Sequence, residues 1–236
     1  MKRIKNIKLN DGTPIHLKIY GEGFPLLLLH GNGGSMKFFS KQIRALKKEC
    51  CVICMDTRGH GRSGKTGEEF DFEVLADDVF QVLSVLHIDQ ADILGFSDGA
   101  NIALVFAKNH PQMVKKLILN SPNEKLKQVK WIHRVSNYIQ YYSAKLASLF
   151  VPKFRNSLSV YRLLFEEIDI EDDDYANFTF PTLIIAGEND CLFLETYKKL
   201  SEKIKDSQVV IIKGHGHNVA RTNPKEFNQA ILKFLR

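Results

Sequence analysis

The segment that most restricts what this chain can become is Leu26-Leu27-Leu28-Leu29, set within Pro25–His30. Side chains of a strand alternate between its two faces, so a strand that is apolar throughout needs cover on both sides. Such a strand belongs at the centre of a sheet with helices on either face. The remaining pattern agrees. Ile4–Leu9 and Ile15–Tyr20 alternate in polarity around the turn signal Asn10-Asp11-Gly12. A short helical stretch near Phe39–Lys47 precedes a strand at Cys51–Met55. Phe72, Leu75, Ala76, Val79, Val82, Leu83 and Leu86 recur at helical spacing. Strands follow at Ala91–Gly95, Lys116–Asn120, Thr182–Ala186 and Gln208–Ile212, with helices at Asp98–Lys108, Glu195–Ile204 and Lys225–Leu235. Strands alternating with helices specify an α/β fold, a mostly parallel central sheet with helices on both faces.

Size and composition bound this further. The chain has 236 residues, 44% hydrophobic and 25% charged, so disorder, collagen and coiled coil are excluded and one domain, 1–236, is expected. No run approaches 18 apolar residues, so no membrane-spanning helix is expected. Met1-Lys2-Arg3-Ile4-Lys5 leads into alternating residues rather than an apolar stretch, so no signal peptide is expected either. Cys51-Val52-Ile53-Cys54 spells C-x-x-C, yet within a strand the two thiols point to opposite faces and cannot share a metal. Structural, reduced cysteines fit a cytoplasmic protein.

One segment breaks the rhythm. From Pro122 to Pro181 no strand is evident, whereas Trp131, Ile132, Val135, Tyr138, Ile139, Tyr142, Leu146 and Leu149 recur at helical spacing. We expect a helical insertion, 122–180, interrupting a core of 1–121 and 181–236. It should form a lid whose apolar side, including Trp131 and Tyr138, faces a pocket. Its charge is polarised. Eight basic residues and one acid lie between Glu124 and Arg162, and seven acids lie between Glu166 and Asp174. The insertion is therefore neutral, and the net +6 belongs to the core. A solvated helix face beside an acidic turn explains the pattern. No nucleic-acid motif accompanies it, so nucleic acid is not expected as a partner, and without a spanning stretch no membrane partner is expected either.

The sharpest chemical signal is Gly95-Phe96-Ser97-Asp98-Gly99, a G-x-S-x-G pattern between an apolar strand and a helical run. The turn is tight, so small residues must flank the serine. Its hydroxyl then stands at a helix N-terminus that favours developing negative charge. A serine hydroxyl needs a base, and the base needs an orienting carboxylate. His215 and His217 follow one strand, and Glu188 and Asp190 follow another, all at the sheet edge where open α/β folds build sites.

With these residues in place the chain resembles the α/β-hydrolase family over nearly its whole length. His30-Gly31-Asn32-Gly33 is similar to the family's oxyanion-hole loop, and Asp56-Thr57-Arg58-Gly59-His60-Gly61-Arg62-Ser63 to its D-x-R-G-x-G-x-S turn. Pro181–Gly187 resembles the run leading to its acid, and Gly214-His215-Gly216-His217 the surroundings of its histidine. The resemblance implies Ser97 as nucleophile, His217 as base and Asp190 as orienting acid. It also implies an oxyanion hole from the backbone N–H groups of Asn32 and Asp98. His30 and His60 would hold loops, and Asp56 and Arg58 would brace a turn.

The elbow also resembles that of the biphenyl-hydrolase-like (valacyclovirase) group, which implies that Asp98 recognises a substrate amino group. The implied activity is hydrolysis of a small carboxylic ester, thioester or amide through an acyl-enzyme, with no metal or organic cofactor. Acyl transfer, perhydrolysis or peptidase cleavage by the same residues, or ligand binding without catalysis, are the competing readings.

Overall fold

The computed structural model describes residues 2–64, 69–151 and 154–236. Lys153, counted above in the basic run, lies outside them. Eight strands form one sheet in the order β1-β2-β4-β3-β5-β6-β7-β8. They are β1 (Lys2–Lys8), β2 (Pro14–Tyr20), β3 (Pro25–Leu29), β4 (Cys51–Met55), β5 (Ala91–Phe96), β6 (Val114–Asn120), β7 (Thr182–Asn189) and β8 (Ser207–Gly216). β1 and β2 are antiparallel to their neighbours, and the other pairings are parallel.

The leucine run sits at the middle, as its composition requires. β3 lies between β4 and β5, with Leu27 opposite both Ile53 and Ile93. Leu27 and Leu29 pack on one face with α2 (Phe72–Val85) and α3 (Asp98–Asn109). Leu26 and Leu28 pack on the other with α1 (Ser40–Leu46) and α9 (Pro224–Leu235). Each fully buried leucine contributes about 2 kcal/mol. Asp71 begins α2 by accepting from the Val74 N–H at 2.8 Å, and Asn223 with Pro224 begins α9.

The C-x-x-C pair divides as strand geometry demands. Cys54 is buried on the α1/α9 face, whereas Cys51 packs against the opposite cluster. All four cysteines are free thiols.

Residues between β6 and β7 carry α4 (Trp131–Ser148), α5 (Arg155–Arg162) and α6 (Asp172–Tyr175). The insertion thus departs from and returns to adjacent parallel strands. Two further helices, α7 (Leu194–Lys203) and the single turn α8 (Val219–Thr222), flank β8. Among the described residues no helix is long and apolar enough to cross a membrane.

Candidate active site

β5 ends at Phe96, and the chain reverses at Ser97 into α3. Ser97 holds φ 53° and ψ −122°, a conformation costing a non-glycine residue about 1–3 kcal/mol. The two glycines are dictated by close approach. A Cβ on Gly95 would lie 2.2 Å from the Gly99 carbonyl oxygen, and one on Gly99 would lie 2.1 Å from that of Leu29. The Ser97 N–H is tied to the Asn120 carbonyl at 2.8 Å, and its carbonyl accepts from Ala100 and Asn101. The elbow is therefore clamped on both sides, and its strain is held by β3, β6 and α3.

β7 and β8 continue further than the apolar pattern indicates, and their last pairing, Asn189 with Gly216, sets the next two residues side by side. Those residues are Asp190 and His217. His217 Nδ1 lies 2.7 Å from Asp190 Oδ1, and His217 Nε2 lies 3.1 Å from Ser97 Oγ. Asp190 is 1% exposed. Its second oxygen, Oδ2, accepts from the Ser121 hydroxyl at 2.7 Å, and the Leu192 N–H reaches Oδ1 at 3.3 Å. Burial alone would raise the Asp190 pKa, but the hydrogen bond and charge of His217, joined by Ser121, hold it below the ordinary carboxylate range. Burial would likewise lower the His217 pKa, but the hydrogen bonds to Asp190 and Cys191 outweigh it and raise the imidazole above its usual value.

The rival candidates point elsewhere. His215 Nδ1 lies 3.0 Å from the Thr222 hydroxyl, and Glu188 accepts from the Gly214 N–H at 2.9 Å. His30 and His60 brace loops. His30 Nε2 accepts from the Thr57 N–H at 3.2 Å and His60 Nε2 from the Gly33 N–H at 3.1 Å. Burial, with the neighbouring His60, pushes His30 down to about 4, so it stays neutral. Arg58 is pinned between Asp78 at 2.6 Å and Asp11 at 2.5 Å, and Asp56 caps the N–H groups of Met36 and Arg62.

Ser97 and His217 open onto a cavity of about 600 Å³, which Asn32 and Asp98 also line. A sequence profile of the alpha/beta hydrolase fold matches residues 25–157. The chain belongs to the α/β-hydrolase fold family. It is similar to the "Putative carbamate hydrolase RutD" of Caulobacter sp. (strain K31), at 27% identity over 89% of this chain and 90% of that one. It is also similar to the mouse "Serine hydrolase BPHL", at 28% identity over 96% of this chain and 84% of the relative. Among solved structures, an esterase from Exiguobacterium antarcticum superposes with a TM-score of 0.85 at 23% identity, covering 98% of each chain. At that identity the superposition speaks for the fold.

Within this α/β hydrolase the two aromatic residues expected in the cavity are not there. Trp131 and Tyr138 do not line it. Trp131 is 66% exposed, and Tyr138 packs its ring against Phe165. α4 is turned the other way, presenting His133, Asn137 and Gln140 to the cavity. Residues 133, 137 and 140 are spaced i, i+4, i+7, one helical face, and 131 and 138 lie on another.

Asp98 does line the cavity. Its carboxylate accepts from the Asn32 side-chain amide at 2.7 Å, and the same amide donates to the Val160 carbonyl of α5 at 2.6 Å. Burial raises Asp98 to about 6, opposed by the Asn32 hydrogen bond.

Two contributors escape a reading of motifs. Ser121, at φ 57°, supports Asp190, and Lys130 Nζ donates to the Asp190 carbonyl at 2.6 Å. Among the described residues one group of metal-ligating types comes together, Asp190, Cys191 and His217, with donor atoms within 4.8 Å. Its carboxylate and imidazole already bond to each other.

Proposed function

We propose that this α/β hydrolase is a serine hydrolase that cleaves a small carboxylic ester through an acyl-enzyme. The observation that carries the reading is the unbroken chain from Ser97 Oγ to His217 Nε2 at 3.1 Å and from His217 Nδ1 to Asp190 Oδ1 at 2.7 Å, opening on the cavity. Ser97 Oγ attacks the ester carbonyl while its proton passes to His217 Nε2. Asp190 holds the imidazole in the tautomer that leaves Nε2 free and stabilises the imidazolium that forms. The carbonyl oxygen, now negative, takes hydrogen bonds from the backbone N–H groups of Asn32 and Asp98. Asp98 is the first residue of α3, so its N–H has no partner within the helix. Such donors are worth about 3 kcal/mol each. His217 then protonates the leaving alkoxide, and water repeats the sequence to release the acid and restore Ser97.

In this reading residues 122–180 form a lid over a core of 1–121 and 181–236, and α4 and α5 bound the acyl and alcohol subsites. Asp98 stands as a carboxylate wall for a substrate ammonium group. A carbamate is the second substrate reading. It is favoured by the amide side chains of Asn101, Asn123, Asn137 and Gln140 in the cavity wall and by the carbamate hydrolase name that the Caulobacter relative carries.

A fluorophosphonate probe followed by peptide mass spectrometry tests the proposal. One adduct on Ser97 is expected, absent in Ser97→Ala. Folded wild-type protein that remains unlabelled would refute it.

A further inference from the structure

A helix lying on a folded domain turns its apolar stripe toward the core. α4 does the reverse. At about 100° per residue, Trp131, Val135, Tyr138, Ile139, Tyr142 and Leu146 fall within one sector about 100° wide. All six are exposed, Trp131 at 66% and Leu146 at 62%. The opposite sector is small and polar. Ala144 and Ser148 are buried there, and His133, Asn137 and Gln140 line the cavity. The exposed apolar stripe therefore runs along the outer side of the helix that walls the cavity. Contiguous apolar surface of this kind marks a place where something else sits.

The charges choose the occupant. α4 contains no acidic residue, and its charged side chains are Arg134 and Lys145. They are eleven residues apart, about three turns, so they share one flank of the apolar sector beside Tyr138 and Tyr142. Acids of the same insertion pair with other cations. Glu167 faces Lys125, Asp172 faces Lys203, and Glu166 faces Arg162. A second copy packed with the two helices antiparallel about a two-fold axis would bring this cationic flank alongside its own counterpart. Anionic headgroups complement it instead. One tryptophan and two tyrosines have the amphipathic rings that settle at headgroup depth, with aliphatic residues beneath and basic residues at the edge.

We propose that the outer face of α4 is a peripheral docking surface for anionic phospholipid bilayers. The helix lies in the plane of the interface. The missing spanning segment, from which no membrane partner was expected, bears on insertion across a bilayer and not on a helix of this kind. Docking sets the polar cavity on the inner side of α4 next to the lipid surface. Neither step depends on the catalytic reading, because lipid binding is measured without turnover.

Trp131 is the chain's single tryptophan, so its emission reports this face alone. Full-length protein should show a blue shift and reduced acrylamide quenching with phosphatidylcholine vesicles containing phosphatidylglycerol, weakened by salt. Arg134→Ser/Lys145→Ser should bind those vesicles about thirtyfold more weakly. Ile139→Glu/Leu146→Glu, at positions more than 60% exposed, should keep the wild-type circular dichroism and melting temperature and lose vesicle binding. Wild-type Trp131 emission unchanged by anionic vesicles would overturn the proposal. So would a concentration-dependent shift without lipid, accompanied by dimers in sedimentation, since a second copy would then cover the face.

Discussion

The Ser121 hydroxyl donates to Asp190 Oδ2 at 2.7 Å, on the one carboxylate oxygen that His217 does not use. Ser121 directly follows β6 at φ 57°, and Asn120 Nδ2 in turn donates to its oxygen at 2.9 Å. A hydrogen bond to a charged group contributes about 1.5–3 kcal/mol, so Ser121→Ala should lower kcat roughly 10- to 100-fold. KM should stay unchanged, because Ser121 touches Asp190 rather than the cavity. Steady-state kinetics on a p-nitrophenyl ester separate the two constants. A rise in KM at constant kcat would assign Ser121 to substrate binding instead. Alanine keeps a Cβ, so the cost of positive φ is the same in both proteins.

The Asp190–His217 pair sets a pH dependence of definite sign. In the proposed role of base His217 works only when neutral, and Asp190 raises its pKa. Hydrolysis should therefore increase with pH along a limb displaced above the ordinary histidine value of about 6.5. In Asp190→Asn the residual activity should be much smaller and its limb should move to lower pH. Stability follows the linkage. A raised histidine stabilises fully below its unfolded pKa and loses that contribution as pH rises through the folded value. A depressed carboxylate contributes above its unfolded pKa and loses it as pH falls through the folded one. The pair should hold the fold best between roughly pH 4 and 6.5, which thermal melts across pH will check.

How much of this was legible in sequence depends on the range of each constraint. The elbow was readable because the demands on Gly95 and Gly99 are local and allow few alternatives. Asp190 and His217 were readable because they follow strands whose C-termini share one edge. The role of Ser121 was hidden, since it arises from the adjacency of β6 and β7 in space. The direction of α4 was also hidden. Periodicity defines an apolar stripe but not what the stripe faces, and the usual inward orientation assigns Trp131 and Tyr138 to the cavity. The small residues Ala144 and Ser148 on the opposite side were the available signal, because a helix packs closest where its side chains are short.

The glycine requirement separates steric from conformational cost. A Cβ at Gly99 would meet backbone oxygens of Leu29 and His30 at 2.1 and 2.7 Å, atoms of the central strand that cannot swing aside. Gly99→Ala should destabilise by about 3 kcal/mol or more and lower Tm by roughly 6–12 °C. Gly214 has φ +72° with no atom within 4 Å of its would-be Cβ, so Gly214→Ala should cost only about 1 kcal/mol, from the left-handed backbone. Denaturant titration of both variants checks the ranking. Equal losses would mean that the contact with β3 relaxes.

Asp98 allows a test of substrate choice. Its carboxylate is buried against the cavity, satisfied on one side by Asn32, and raised by burial to about 6. Above that pH it is an anion with little solvent around it, and a substrate ammonium group would supply the missing counter-charge. Matched esters with and without an α-amino group should therefore differ in kcat/KM, with the amino ester preferred. The preference should weaken as pH falls through about 6 and Asp98 becomes neutral. Asp98→Asn keeps the shape and a partner for Asn32, so it should abolish the preference and leave hydrolysis of the plain ester largely intact. An equal preference in wild type and variant would remove Asp98 from substrate recognition. Its burial would then serve the contact through Asn32 to Val160, which ties the elbow to α5.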